Sequence, residues 1–342
     1  MTDASAKSHR HTLAKPRLGF LGVGWIGRHR MQAIIESGMA EAVAIADQTP
    51  EIAATAAELA PDAEIAQSLD DILDTGVDGL VIATPSALHA SQTIRALKRG
   101  AAVFCQKPLG RTAHEVGSVI DTARMVDRLL GVDMSYRFTE AARQVRDVVT
   151  SGGIGRVHAV EMTFHNAYGP DKAWFHDARL SGGGCVMDLG VHLVDLALWV
   201  LDFPRAHGVS SRLHARGAPL RDGSGTVEDY AVATIDLEGD TVVRLACSWN
   251  LSAGCDAVIS AAFHGTEGSA ALTNIDGSFY DFTAERYHGT AREVLARPPD
   301  AWGGRAAIDW AARLAESNRF NPSVERLADV AEILDRIYGR DG

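Results

Sequence analysis

From Arg17 onward, the alternation of apolar and polar positions reads as strand, glycine turn and helix. Leu18-Gly19-Phe20-Leu21 is a short apolar run. A helix follows, with Ile26, Met31, Ile34 and Ile35 at helical spacing over residues 26–37. Ala42 to Ala46 is the next apolar run and ends at Asp47. Thr49-Pro50 then opens a second helix, with Thr49 as the capping residue and proline in the first turn. Gly79 to Ala83 and Ala101 to Cys105 are two further apolar strands, the second following a helix that ends at Gly100. Apolar strands alternating with amphipathic helices predict a doubly wound parallel sheet covered on both faces. This α/β pattern occupies residues 16–135.

The period changes after residue 150. Residues 155–165, 207–213, 229–237, 241–249, 257–264 and 269–273 read as strands. Several are joined by turns such as Glu238-Gly239-Asp240 and Thr266-Glu267-Gly268. Strands without intervening helices predict a mostly antiparallel sheet in an α+β second domain, residues 136–342, closed by a helix from Ser323 to Tyr338. Ala231 to Leu237 is apolar on both faces, so its outer face is covered either by a second subunit or by helices of this chain. Residues 1–15 read as a disordered polar tail with no secretory signal. No apolar run approaches the roughly 18 residues of a membrane span. The most apolar helix, near residues 186–201, is interrupted by Asp188, His192 and Asp195.

A length of 342 residues suits two domains, and 46% apolar with 23% charged residues is ordinary for a globular protein. Acidic residues outnumber basic ones by 44 to 33, a net charge of −11 that argues against nucleic acid or an anionic membrane as partner. The four cysteines form no CxxC pair, which predicts separate reduced thiols and a cytoplasmic protein. The only lysines are Lys7, Lys15, Lys98, Lys107 and Lys172, so one that falls within an apolar stretch stands out.

Gly22-Val23-Gly24-Trp25-Ile26-Gly27 is a GxGxxG turn between a predicted strand and a predicted helix, the context a dinucleotide site requires. Gly22 permits the tight turn, Gly24 lets backbone amides approach a pyrophosphate, and Gly27 lets helix and strand pack closely. The helix N-terminus favours the phosphates. Asp47 lies 20 residues past Gly27, where a carboxylate accepts ribose hydroxyls and repels a 2′-phosphate. NAD is therefore favoured over NADP, although Arg28 and Arg30 are near in sequence. Thr84, Pro85 and Ser86 follow the strand ending at Ala83, with His89 at the start of the next helix, and belong to the cofactor-facing set, which Gln106 and Lys107 after the next strand complete.

Gln106-Lys107-Pro108 ends the next strand, so Lys107 faces the same crevice. A charged lysine buried there without a partner is costly, and one beside a substrate hydroxyl can bond it and relay its proton. Ser181-Gly182-Gly183-Gly184 runs into a helix bearing Asp188, His192 and Asp195 at i, i+4 and i+7, on one face. A histidine with carboxylates one turn away suits a general base and its orienting group. A shared metal ion is the competing reading of Asp188 and His192, and a polar brace for the helix that of Asp195. No metal is expected, since no further His or Cys converges on them in sequence.

These motifs, in this order, resemble the Gfo/Idh/MocA oxidoreductase family, which includes glucose–fructose oxidoreductase and inositol dehydrogenase. The resemblance also covers Val227-Glu228-Asp229-Tyr230 and Gly265-Thr266-Glu267-Gly268, and runs from Arg17 to Tyr338. It implies a Rossmann domain, a second domain with a large open sheet that often serves oligomerisation, a nicotinamide cofactor, and sugar, amino-sugar or cyclitol substrates. By position it implies catalytic roles for Lys107, Asp188 and His192, and a substrate pocket that Tyr136 and Arg137 also line. It places Gln106 where the family usually has glutamate, a carboxylate that would favour the lysine ammonium. A homodimer or homotetramer is expected. An NAD-dependent glycoside hydrolase and a non-catalytic dinucleotide sensor are the alternatives within the same resemblance.

Overall fold

The structure, a computed structural model, describes residues 15–221 and 225–340. The tail expected over residues 1–15 therefore lies, but for Lys15, outside the described residues.

The first half contains β1 (Arg17–Leu21), α1 (Trp25–Ser37), β2 (Glu41–Ala46), α2 (Pro50–Ala57), β3 (Glu64–Ile65) and α3 (Leu69–Asp74). It continues through β4 (Gly79–Ile82), α4 (Ser86–Lys98), β5 (Ala102–Cys105), α5 (Ala113–Met125) and β6 (Leu130–Val132). The strands form one parallel sheet in the order β3-β2-β1-β4-β5-β6. Every residue of β4 and β5 is buried, which accounts for their unbroken apolar character. The winding reverses between β1 and β4, the switch point at which open α/β sheets bind ligands. Strands β3 and β6, of two and three residues, are too short to leave a periodic signal.

The second half contains α6 (Glu140–Thr150), β7 (Val157–Asn166), α7 (Ala178–Ser181), α8 (Val191–Val200), β8 (Ala206–Ala215) and β9 (Ala218–Pro219). It goes on through β10 (Tyr230–Leu237), β11 (Thr241–Ser248), β12 (Ala257–Gly265), β13 (Ser269–Asn274), β14 (Phe282–His288) and β15 (Ala291–Ala296), and closes with α9 (Arg305–Glu316) and α10 (Arg326–Ile337). Among the described residues, nine strands lie in the order β15-β14-β13-β12-β7-β11-β10-β8-β9, and only the β7–β11 pair is parallel. All six strands expected from sequence are present. Strands β14 and β15 were not expected: they lie at the sheet edge, and charged residues such as Glu285, Arg286, Arg292 and Glu293 obscure any apolar alternation.

Helix α9 was also not expected. Its inward face is mostly alanine, a weak signal, but its Trp310 is buried against the first sheet beside Phe104, with ring centroids 5.7 Å apart. Strand glycines make room for that indole. A Cβ at Gly79 would lie 2.8 Å from it and one at Gly131 2.7 Å. The second half of the chain thus returns to cover the first sheet.

Ala178–Val200 is long and apolar enough to span a bilayer by length and composition alone, contrary to the expectation that no such stretch exists. Most of it is buried within the fold, where α8 packs against α6, α10 and β7. On β10, Ala231, Ala233, Ile235 and Leu237 are buried, while Tyr230, Val232 and Thr234 are half-buried and Asp236 is exposed.

Candidate active site

One cleft of about 970 Å³ runs along the carboxyl ends of the parallel strands and under the second half of the chain. Gly22 follows β1, Asp47 follows β2, Thr84 follows β4, Gln106 and Lys107 follow β5, and Asp133 follows β6. All of them line the cleft, as do Gly24, Trp25, Ile26, Pro85, Ser86 and His89.

The glycine turn has the geometry its sequence requires. Gly22 has φ +80°, and a Cβ there would lie 2.7 Å from the Ala83 carbonyl. A Cβ at Gly27 would lie 2.0 Å from the Gly22 carbonyl oxygen, so Gly27 serves packing and is not on the cleft lining. Gly24, at the start of α1, has no neighbouring atom within 4 Å of a built Cβ, which leaves room for a ligand at the helix N-terminus. No side chain caps that end, so its N–H groups stay available. The Val23 and Thr49 amides donate to the two oxygens of Asp47 at 2.8 and 3.0 Å and fix the carboxylate at the cleft edge. These residues fit a dinucleotide.

His89 is buried, its ring nitrogens each 2.7 Å from a carbonyl oxygen, that of Pro108 and that of Thr84. It ties the ends of β4 and β5 together, and burial lowers its pKa. The Thr84 hydroxyl donates to Gln92 at 2.6 Å.

The structure brings Lys107, Asp188 and His192 to one wall of the cleft. Lys107 Nζ donates to Asp188 Oδ1 at 2.9 Å and to the Asp188 carbonyl at 2.8 Å. Trp249 Nε1 donates to Asp188 Oδ2 at 3.0 Å. Asp188 therefore orients the amine, and no hydrogen bond joins it to His192, contrary to the expected pairing. Asp188 lies within a π-turn over Val186–Gly190, a feature that recurs at functional sites, and His192 lies in the α-helix that follows. His192 is held by ring contacts instead, its centroid 4.7 Å from Tyr136 and 6.3 Å from Phe164. Burial, then the charges of Lys107 and Arg30, hold its pKa well below the usual histidine value, so the imidazole is neutral and able to accept a proton.

Tyr136 lines the cleft as expected, within an aromatic cluster of Phe164, Phe282, Trp302 and His192. Burial, then Asp188, raises its pKa. Arg137 does not line the cleft. Its guanidinium is bidentate to Asp195, so both side chains brace the helix, which is the polar-brace alternative. Arg30 is buried and paired with Asp133, and neither Arg28 nor Arg30 reaches Asp47.

Sequence reasoning named Glu228 only within a motif, without a role, and passed over several other residues of the site. The buried Glu228 carboxylate accepts from the Gly184 amide at 2.9 Å, the Val186 amide at 2.9 Å and the Tyr338 hydroxyl at 2.7 Å. It thereby seats the glycine loop that leads to Asp188, and burial pushes its own pKa up. A Cβ at Gly184 would lie 1.9 Å from the Glu228 carbonyl oxygen, which accounts for a glycine there. Trp174, Phe175, Tyr280 and Trp302, four aromatic side chains from three separate segments of the second half, also line the cleft. Among the described residues, no group of three His, Cys, Asp or Glu side chains could hold a metal ion.

A glycine-led parallel sheet, with an amine, a carboxylate and an imidazole converging at its strand ends, defines a dinucleotide-binding oxidoreductase fold. Two family profiles match it: "Oxidoreductase family, NAD-binding Rossmann fold" over residues 16–134, and "GFO/IDH/MocA C-terminal domain" over residues 142–271. The chain belongs to the Gfo/Idh/MocA oxidoreductase family. It is 30% identical over 340 residues to dTDP-3,4-didehydro-2,6-dideoxy-alpha-D-glucose 3-reductase of Streptomyces violaceoruber, covering 95% of this chain and 94% of that protein. It is 27% identical over 205 residues to D-glucoside 3-dehydrogenase of Escherichia coli, covering 57% of this chain and only 58% of that relative. A solved structure of levoglucosan dehydrogenase with NADH and levoglucosan superposes with TM-score 0.78 at 24% identity, covering 95% of this chain and 97% of that one.

Proposed function

We propose that the protein is an NAD-dependent dehydrogenase acting reversibly on a secondary alcohol of a sugar, amino sugar or cyclitol. Residues 16–135 hold the dinucleotide, and residues 136–342 supply the substrate wall and the contacts of a homodimer or homotetramer. The observation that carries this reading is the convergence of Lys107, Asp188 and a neutral His192, which has no hydrogen-bond partner among the described residues, in the cleft below the glycine turn.

A bound nicotinamide supplies the hydride acceptor. His192 takes the hydroxyl proton, and the Lys107 ammonium donates a hydrogen bond to the same oxygen as it becomes a carbonyl. Asp188 holds the amine in place. The aromatic rings of Trp174, Phe175, Tyr280 and Trp302 suit the C–H faces of a hydroxylated ring. Asp47 favours NAD over NADP by repelling a 2′-phosphate. The half-buried outer face of β10 supports subunit contacts, and the four free thiols support a cytoplasmic setting.

The test is a panel of sugars, amino sugars and cyclitols assayed with NAD for NADH appearance. Turnover with one of them, abolished by Lys107→Met, is the expected result. Aglycone release from a glycoside without net NADH would point to the hydrolase reading. NADH binding without oxidation of any polyol would point to the sensor.

A further inference from the structure

A second polar network lies at the end of β5 and β6, beside the proton-handling set, and the mechanism above does not use it. Asp133 is buried at 1% exposure and accepts three side-chain hydrogen bonds. Arg30 Nε and Gln106 Nε2 both donate to its Oδ2 at 2.5 Å, and the Ser135 hydroxyl donates to Oδ1 at 2.5 Å. The remaining nitrogens of Arg30 are also engaged, one with Ser135 Oγ at 3.1 Å and one with His29 Nδ1 at 2.9 Å. The guanidinium is thus locked and Asp133 is a paired carboxylate.

An ionised carboxylate only accepts hydrogen bonds. It must therefore face the NH2 end of the Gln106 amide, which leaves Oε1 as the other end. That oxygen has no partner among the described residues, and Gln106 lines the cleft at 7% exposure. We infer that Arg30, Asp133 and Ser135 lock the Gln106 carboxamide so that its Oε1 is presented to the cleft as a neutral acceptor for an N–H or O–H donor on the nicotinamide half of the dinucleotide. Asp133 is a positioning residue in this arrangement and acts through Gln106. The negative charge that the family resemblance places at position 106 is carried at position 133 instead. Glutamate at 106 would set two carboxylates within hydrogen-bond distance, and one of them would have to hold a proton. The groups facing this pair are Arg30 and His29 from α1, Ser135 after β6, and Cys105 and Lys107 on and after β5.

The inference rests on the dinucleotide reading, and its test separates the two. NADH is titrated by fluorescence into the parent protein, Gln106→Glu, Asp133→Asn and the double variant, with AMP, which lacks the nicotinamide half, titrated alongside. At about pH 8, Gln106→Glu is expected to weaken NADH binding about tenfold or more, and to recover toward the parent near pH 5.5 as the two carboxylates share a proton. In the Asp133→Asn background the same substitution is expected to strengthen NADH binding, because amide and carboxylate have exchanged places. AMP affinity stays level across the four proteins. An effect of the same sign in both backgrounds overturns the inference, as does a parallel loss of AMP binding, which would mark general damage to the fold. If Gln106→Glu does not fold at about pH 8, the comparison of Asp133→Asn with the double variant decides, and no gain there overturns it. A parent protein that binds neither NADH nor AMP overturns the dinucleotide reading itself.

Discussion

Replacing Arg137 with alanine separates two roles for this residue, substrate contact and structural brace. The Arg137 side chain is 20% exposed and that of Asp195 only 3%. The guanidinium also lies over the Phe203 ring at 5.4 Å, with Arg326 at 5.5 Å from the same ring. Removing the arginine leaves a buried carboxylate without its partner, which costs about 3–5 kcal/mol. The partial exposure of Arg137 admits some water, so the expected loss is near the lower figure, about 3 kcal/mol. At roughly 2–4 °C per kcal/mol for larger domains, the melting temperature falls by roughly 6–12 °C. Arg137→Met with Asp195→Leu removes both charges and should regain most of that loss, since an apolar pair of similar volume replaces a buried ion pair at little cost. Urea unfolding followed by circular dichroism measures the cycle, and steady-state kinetics on the same preparations measures KM for the sugar. Unchanged stability together with a KM raised about tenfold or more would refute the brace and return Arg137 to the substrate pocket.

Three further outcomes follow from the site. His192→Ala and Lys107→Ala should each lower turnover about 10²–10⁴-fold while NADH still binds within a few-fold of the parent, and near-normal turnover would reject their assignment. Trp249→Phe keeps the ring but removes the donor to Asp188 Oδ2. It should cost about 1–3 kcal/mol in kcat with little change in KM, whereas a change confined to KM would place Trp249 on the substrate instead. For pH, burial first, then Lys107 and Arg30, hold the His192 pKa well below 6.5. Below 6.5 the unfolded chain takes up a proton that the folded one refuses, so this contribution to stability is full above 6.5 and falls as pH drops toward the lowered value. The acid limb of the oxidation rate should likewise lie below 6.5, because His192 stays neutral there. Stability that stays flat from about pH 6.5 to 5, or an acid limb above that range, would contradict the burial argument.

Local pattern carried a large part of this protein. Strand and helix periods located both sheets, and the GxGxxG turn and its spacing to Asp47 picked out residues that line one cleft. The glycine-led helix pointed to Asp188 and His192, and the strand end pointed to Lys107. Each of these is a relation among residues close in the chain, where backbone geometry alone sets which side chains share a face. The choice of partner was not legible in the same way. Asp188 bonds Lys107 and Trp249, 81 and 61 residues away, and not His192 four residues on. Arg137 turned to Asp195, 58 residues away, and Arg30 to Asp133, 103 residues away. Helix α9 crossed back to the first sheet because two strand glycines leave room for Trp310. Such pairings arise when distant segments close over one another and buried charges must find whichever opposite group the packing brings within reach, a condition that periodicity along the chain does not encode.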